Sequence, residues 1–221
     1  NNPNLTWETV NPLNIGLDLG FFNNRLTVTA EYFNKETKNL IYNLPLSTAQ
    51  GLANYVDNIG TLVNKGWEFA VNGDIFRGDR NQLNWNMGFN LSTLDNEITE
   101  LYGGDVNSGL TTIREGQPVR TWFLRKWAGV DAANGNPLWY INGVDGETTS
   151  SWSAAKQAVQ GSYLSNLYGG LNTSVNYKGF GLDLQFTYGF GGKIYDDWAA
   201  YGYSDGYYTD FYPGYADVMG D

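Results

Sequence analysis

The chain has 221 residues, 28 of them glycine, and 16 % are aromatic and 16 % charged, against about 25 % charged in ordinary globular domains. Lys and Arg number 13 against 23 Asp and Glu, a formal net charge of −10, which excludes a nucleic-acid binder built on a basic stripe. Cysteine and histidine are both absent, so disulfide scaffolding, thiolate chemistry, the commonest zinc ligands and the commonest general base are excluded with them.

No apolar run approaches the ~18 residues of a membrane-spanning helix, and the start, NNPNLTWETV, has no basic segment leading into an apolar one. The chain shows period-2 alternation instead, which predicts antiparallel strands with one apolar and one polar face. The first two strands are LNIGLDLGF at 13–21 and RLTVTAEYF at 25–33. WEFAVNGDI at 67–75 and NWNMGFNLS at 84–92 follow. The last two are YGGLNTSVNY at 168–177, where Thr173 interrupts the apolar row, and GFGLDLQFTYGF at 179–190.

Alternation alone fits a soluble β-sandwich as well as a membrane barrel, because both have one face buried and one wet. The connections separate the two. Short turns at 22–24, 76–83 and 178–179 alternate with long connections at 34–66 and 93–167. That order puts turns at one end of the sheet and long loops at the other, as in outer-membrane barrels, whereas compact soluble domains rarely carry repeated loops of that length. From Phe180 to Tyr188 the last strand rises about 26 Å, or about 19 Å along the membrane normal at a tilt near 45°, which covers most of an apolar band about 25 Å tall.

The predicted fold class is therefore all-β, an antiparallel transmembrane β-barrel of which this chain supplies about six strands and long extracellular loops. Leu17, Val28, Phe69, Phe89, Leu182, Leu184 and Phe186 are predicted to face lipid. Phe21, Phe22, Phe76, Trp85, Tyr177 and Phe180 would form the periplasmic aromatic girdle, and Tyr32, Phe33, Trp67, Tyr188 and Phe190 the outer one. The other face is rich in Asn, Gly, Thr and Ser and poor in Lys, unlike the solvent face of a soluble sheet. It reads as a wet lumen, walled by Asp18, Glu31, Glu68, Asp74 and Asp183. A secreted β-sandwich that grips a glycan with loop aromatics is the alternative.

At this point several segments resemble the SusC/RagA-type TonB-dependent transporters. Asn2-Pro3, Leu5 to Glu8, Asn14 to Asp18, Phe21 to Leu26 and Thr37 to Leu40 carry the likeness, with Asn58-Ile59-Gly60, Asn64-Lys65-Gly66 and Glu68. Gly116-Gln117-Pro118, Trp127 to Asp131, Tyr168 to Leu171 and Tyr177 to Phe180 extend it over nearly the whole chain, while Val119-Arg120-Thr121-Trp122 departs from the family's usual run. The resemblance implies a barrel of about 22 strands, which agrees with plugged outer-membrane transporters. Residues 1–221 would be one part of that barrel domain, with the plug and terminal strands outside it. It also implies import of oligosaccharides or peptides through the outer membrane, driven through TonB by way of the missing N-terminal part, beneath a SusD-like lipoprotein lid.

Loop aromatics are the candidate contacts for lid or substrate, because Trp and Tyr join apolar area to a polar handle. Trp139, Tyr140, Trp152, Trp198 and Tyr201 are the named candidates, among further loop aromatics that include Trp122 and Trp127. No catalytic residue, cofactor or metal is expected. DAANGN at 131–136 lacks the spacing of a calcium loop and reads as a tight turn. Asp196, Asp197, Asp205, Asp210 and Asp217 are oxygen ligands without such a loop. Arg77-Gly78-Asp79 falls in a turn, GFGGK at 189–193 lacks phosphate-loop spacing, and the sequons at Asn4, Asn90 and Asn172 reflect an Asn-rich composition.

Overall fold

The computed structural model describes residues 2–45, 54–79 and 82–198. In chain order the elements begin with β1 (Thr9–Phe21), β2 (Leu26–Lys38), β3 (Ile41–Pro45), β4 (Asn54–Asn58), β5 (Gly60–Phe76), β6 (Asn84–Thr93) and β7 (Asp95–Leu101). Short strands follow: β8 (Val106–Ser108), β9 (Thr111–Ile113), β10 (Thr121–Leu124), β11 (Trp127–Val130), β12 (Pro137–Tyr140), β13 (Thr148–Thr149) and β14 (Ala158–Ser162). β15 (Leu167–Tyr177) and β16 (Phe180–Phe190) complete the series. The long strands form one antiparallel sheet in the order β1-β2-β5-β6-β15-β16, with β7 also paired to β5.

Register shows that the alternation is coherent across the sheet. Leu19, Val28, Val71, Phe89, Leu171 and Phe186 stand in one cross-strand row, and Leu17, Ala30, Phe69, Leu91, Gly169 and Tyr188 in the next. Since directly paired residues share a face, all the residues expected to face lipid lie on one surface. Asp18, Glu31, Glu68, Asp74 and Asp183 lie on the other, in rows with Thr29, Ser92, Asn86 and Ser174.

Both aromatic bands form, with one correction. At the loop end Tyr32 lies 5.1 Å from Trp67 between ring centroids, Trp67 stacks on Phe69 at 6.0 Å, and Tyr188 packs between Phe89 and Phe190. Phe33 does not join them. It pairs with Asn14 and Gly66 on the polar face, where its ring covers the glycine: a Cβ on Gly66 would stand 2.9 Å from Phe33 Cζ. Consecutive residues of a strand point to opposite faces, so Tyr32 and Phe33 cannot share a girdle.

At the turn end a β-bulge between Asp74 and Phe76 puts one extra residue into β5. Strict alternation would leave Phe76 on the face of Asp74, and the bulge moves it to the apolar side, stacked 6.1 Å from Trp85. The carbonyls exposed by the bulge are capped by Arg25, whose Nε donates to Asp74 O at 2.7 Å and whose Nη2 donates to Ile75 O. Arg25 is brought there by a turn in which Phe22, Asn23 and Asn24 all have left-handed φ (55°, 55° and 58°). Gly20 leaves the space that the Asn24 side chain fills, since a Cβ there would lie 2.2 Å from Asn24 Oδ1.

Thr173, the break in the apolar row, has a partner of its own. Trp85 Nε1 donates to Thr173 Oγ1 at 2.8 Å, and Thr173 in turn donates to Asn86 O at 3.2 Å. The indole N–H is thus satisfied within the apolar face. Thr173→Val should lower barrel stability by about 1 kcal/mol in a lipid-vesicle unfolding assay, a typical net hydrogen-bond contribution, and Trp85→Phe in the same background should remove the difference.

Beyond the apolar band the long connections fold as small sheets. β3 pairs with β4, β14-β10-β9-β8 make a four-stranded sheet, and β11-β12-β13 a three-stranded one. β5 extends to Gly60, well before the expected start at Trp67, because residues 60–65 pair with β7 above the band, where neither face has to be continuously apolar. Ile59, Ile98 and Ile113 form a small buried core there, with Leu40, Leu62 and Val119 packed against it.

Residues that carry the family resemblance hold this region together. Asn58 Nδ2 donates to Asn39 O (2.7 Å) and Thr6 O (3.0 Å), and Asn58 Oδ1 accepts from Thr6 N (2.8 Å). Asn96 Oδ1 accepts from Val119 N at 2.8 Å, and Ile98 exchanges backbone hydrogen bonds with Gln117 and Gly116. The segment preceding β1 is thereby tied to the β3–β4 hairpin, and the 116–119 run to β7.

Candidate functional site

The loop aromatics gather on the three-stranded sheet. Its first hairpin is closed by Asp131, whose carboxylate accepts from Ala133 N (2.9 Å) and Asn134 Nδ2 (2.8 Å) and whose carbonyl accepts from Gly135 N (2.8 Å). Gly135, at φ 74°, supplies the left-handed residue of the turn. The DAANGN stretch is thus a tight turn, as expected.

That turn pairs Val130 with Pro137 and Gly129 with Leu138, and a β-bulge between Trp127 and Gly129 then makes Trp127 the cross-strand partner of Trp139. Their rings meet edge to face at 5.9 Å, and Trp152 packs on Trp139 at 5.2 Å in the same manner. Arg125 lies over Trp152 with its guanidinium carbon 4.6 Å from the ring centroid, held by an Nε hydrogen bond to Ala155 O at 2.8 Å. On the neighbouring side Lys126 Nζ lies 5.4 Å from the Tyr140 ring and donates to Val144 O at 2.9 Å. Gln160 Nε2 donates to Gly143 O (2.9 Å) and ties this sheet to β14. Trp127 and Trp152 are each more than half exposed. The arrangement presents ring surface braced by cations, suited to stacking against a ligand or a partner protein.

Trp139, Tyr140 and Trp152 are therefore brought together as candidates. Trp198 lies beyond β16 with its side chain exposed, and Tyr201 is outside the described residues. Trp127, one of the further loop aromatics noted in the sequence, belongs to the cluster, and so does Arg125, which the sequence reading did not single out. Their signal was the tight turn at 131–136, which places the strand carrying Trp127 opposite the strand carrying Trp139.

The polar face of the main sheet has a different chemistry. Asp18 accepts from Thr29 Oγ1 at 2.7 Å, and Asp74 accepts from Asn86 Nδ2 at 2.9 Å and from Arg77 Nε at 2.8 Å. Glu31 and Glu68 are direct cross-strand partners. Like charges directly opposed destabilise a sheet pair, which a hydrated face tolerates far better than a dry one.

Residues 1–217 match the family model for the TonB dependent receptor-like β-barrel. The chain belongs to this family. A TonB-dependent receptor of Formosa agariphila is 30% identical over 214 residues, 88% of this chain and 21% of that protein. The TonB-dependent receptor SusC of Bacteroides thetaiotaomicron is 36% identical over 106 residues, 47% of this chain and 10% of its own length. Among solved structures, the RagAB peptide transporter is similar with a TM-score of 0.78 at 28% identity, over 86% of this chain and 22% of that one. The chain thus spans about a fifth of the Formosa receptor's length. As a TonB-dependent receptor barrel segment, its exposed apolar face needs no second sheet to cover it.

Proposed function

We propose that the chain forms part of the wall and outer loops of an outer-membrane importer. The barrel, of about 22 strands, would be completed by the rest of the protein, which would also supply a plug and the contact with TonB. Oligosaccharides or peptides would pass inward along the polar face, with a SusD-like lipoprotein closing over the loops. Trp139, Tyr140 and Trp152 would contact that lid or the substrate, and no catalytic role is assigned to the acids of the polar face.

The observation that carries this reading is the apolar face of the main sheet. Ile15, Leu17, Leu182 and Phe186 are each between 56% and 62% exposed there, in cross-strand rows bounded by aromatic bands. A face that apolar and that regular would be an aggregation site in water, and in a bilayer it is the barrel's lipid contact. Full-length protein should fractionate with outer membranes and require detergent for extraction. Recovery of the full-length protein as a soluble monomer in plain buffer would overturn the reading.

A further inference from the structure

The three-stranded sheet is not the only aromatic feature of the loop region. Between the β3–β4 hairpin and the four-stranded sheet lies a cleft of about 430 Å³, lined by Tyr42, Ser108, Thr111, Arg120, Trp122 and Tyr163 among others. Trp122 meets Tyr163 edge to face at 6.5 Å, and its Nε1 is fixed by donation to Lys193 O at 2.8 Å. The Arg120 guanidinium carbon stands 5.6 Å from the Tyr163 centroid.

Arg120 is held at φ 67°, a left-handed backbone that a non-glycine residue adopts at a cost. Glycine would fit that backbone better, so what arginine contributes there is its side chain. Among the described residues no carboxylate lies within ion-pair distance of it; the ion pairs are Lys38 with Glu36, Lys65 with Asp95, Arg77 with Asp74 and Arg114 with Asp105. In a chain of net charge −10, Arg120, like Arg125 over Trp152, is a guanidinium over an aromatic ring with no ion pair among the described residues, and of the two it is Arg120 that lines the cleft.

The backbone of β9 and β10 beside the cleft is already engaged on both sides, and β8 is the open edge of their sheet. Thr111 pairs with Trp122 on one side and Ser108 on the other. A peptide, which is read largely through main-chain hydrogen bonds, finds open edges there only on short strands, β8 and the β3–β4 hairpin. Flat rings, hydroxyls, the aliphatic Ile113 and Val119 and one cation line it, and these match a sugar ring that stacks by its apolar face, hydrogen-bonds by its hydroxyls and carries an acid group for the guanidinium.

We infer that this cleft binds an acidic sugar unit, bearing a carboxylate or a sulfate, with Arg120 as the charge-selecting residue and Trp122 and Tyr163 as the stacking wall. Arg120 and Trp122 both lie in the run that follows Pro118. The inference rests on the import reading for the supply of such ligands.

The test is calorimetric titration of the purified full-length transporter in detergent. Four probes serve: oligogalacturonate, its fully methyl-esterified form, a κ-carrageenan oligosaccharide and tetraglutamate. Binding of oligogalacturonate, of the carrageenan fragment or of both is expected, and which of them binds tells carboxylate from sulfate. Esterification should weaken oligogalacturonate binding by about tenfold or more, the loss that follows removal of one charged hydrogen bond. Arg120→Gly should weaken the acidic probe by a similar factor, with thermal stability unchanged or raised because glycine suits the left-handed backbone. Absence of binding by both acidic sugars, an Arg120→Gly variant that binds as tightly as the parent, or preference for tetraglutamate would each overturn the inference. A protein extracted from outer membranes whose cleft ignores charge refutes the cleft alone and leaves the import reading in place.

Discussion

Leu184→Arg should destabilise the barrel by about 2 to 4 kcal/mol, the depth-dependent cost of a cation at the midplane of the lipid face, whereas Gln185→Arg should cost much less. The two positions are neighbours near the middle of β16. Leu184 is paired with Thr173 in the apolar rows, and Gln185 with Asn172 on the polar face. Composition and strand propensity change equally in the two variants, so their difference isolates the facing. On the polar side an arginine meets Asn172 and, one strand further, Gly88, whose missing side chain leaves room for the Asn72 and Asn172 amides. On the apolar side it meets hydrocarbon with no partner for five donors. Reversible unfolding of the full-length protein in lipid vesicles is the measurement, and equal losses would reject the assigned facing.

Why the wall was legible in the sequence, and much of the loop region was not, follows from what each is in contact with. A strand between lipid and lumen is constrained at every residue, and its period-2 pattern survives even with Thr173 or Gly169 in the apolar row. Above the band the constraint lapses. Residues 60–65 pair with β7 across a register shift between Thr61 and Leu62 and no alternation marks them, and β8 to β14 are between two and five residues long, too short for a period to register. The assignment of Phe33 to the outer girdle failed because it counted aromatics near the band edge without counting parity. Phe76 joined its girdle only through a bulge that no sequence pattern announced. Of the candidate site, the residue types were visible and their grouping was not. Trp127, Trp139 and Trp152 are far apart in sequence, and what joins the first two is the Asp131 turn together with the bulge between Trp127 and Gly129. Arg120 drew notice only as a departure from a familiar run, and its meaning depends on the left-handed backbone and the Tyr163 ring beside it.

Gly169→Val is expected to destabilise the barrel by about 1 to 3 kcal/mol, the usual cost of overpacking a filled site, although it adds apolar area to the apolar face of the sheet. Glycine in a strand interior ordinarily weakens the strand, so propensity alone forecasts the opposite sign. The geometry at Gly169 decides between the two. A Cβ there would stand 2.1 Å from Asn90 O and 2.5 Å from the Tyr188 hydroxyl. The ring of Tyr188 lies across the glycine so that its O–H can donate to Asn90 O at 2.7 Å, and it stacks 6.2 Å from Phe89 on the way. A valine must push this ring out, which breaks the hydrogen bond and the stack together, and must also move a backbone carbonyl of β6, where side-chain adjustment gives no relief. Tyr188→Phe separates the contributions, since it removes only the hydroxyl and should cost about 1 kcal/mol. Adding Gly169→Val to Tyr188→Phe should then cost less than Gly169→Val does alone, because part of what the valine destroys is already gone. Unfolding midpoints of the four proteins in vesicles measure that coupling, and strict additivity would mean that Tyr188 does not rest on Gly169.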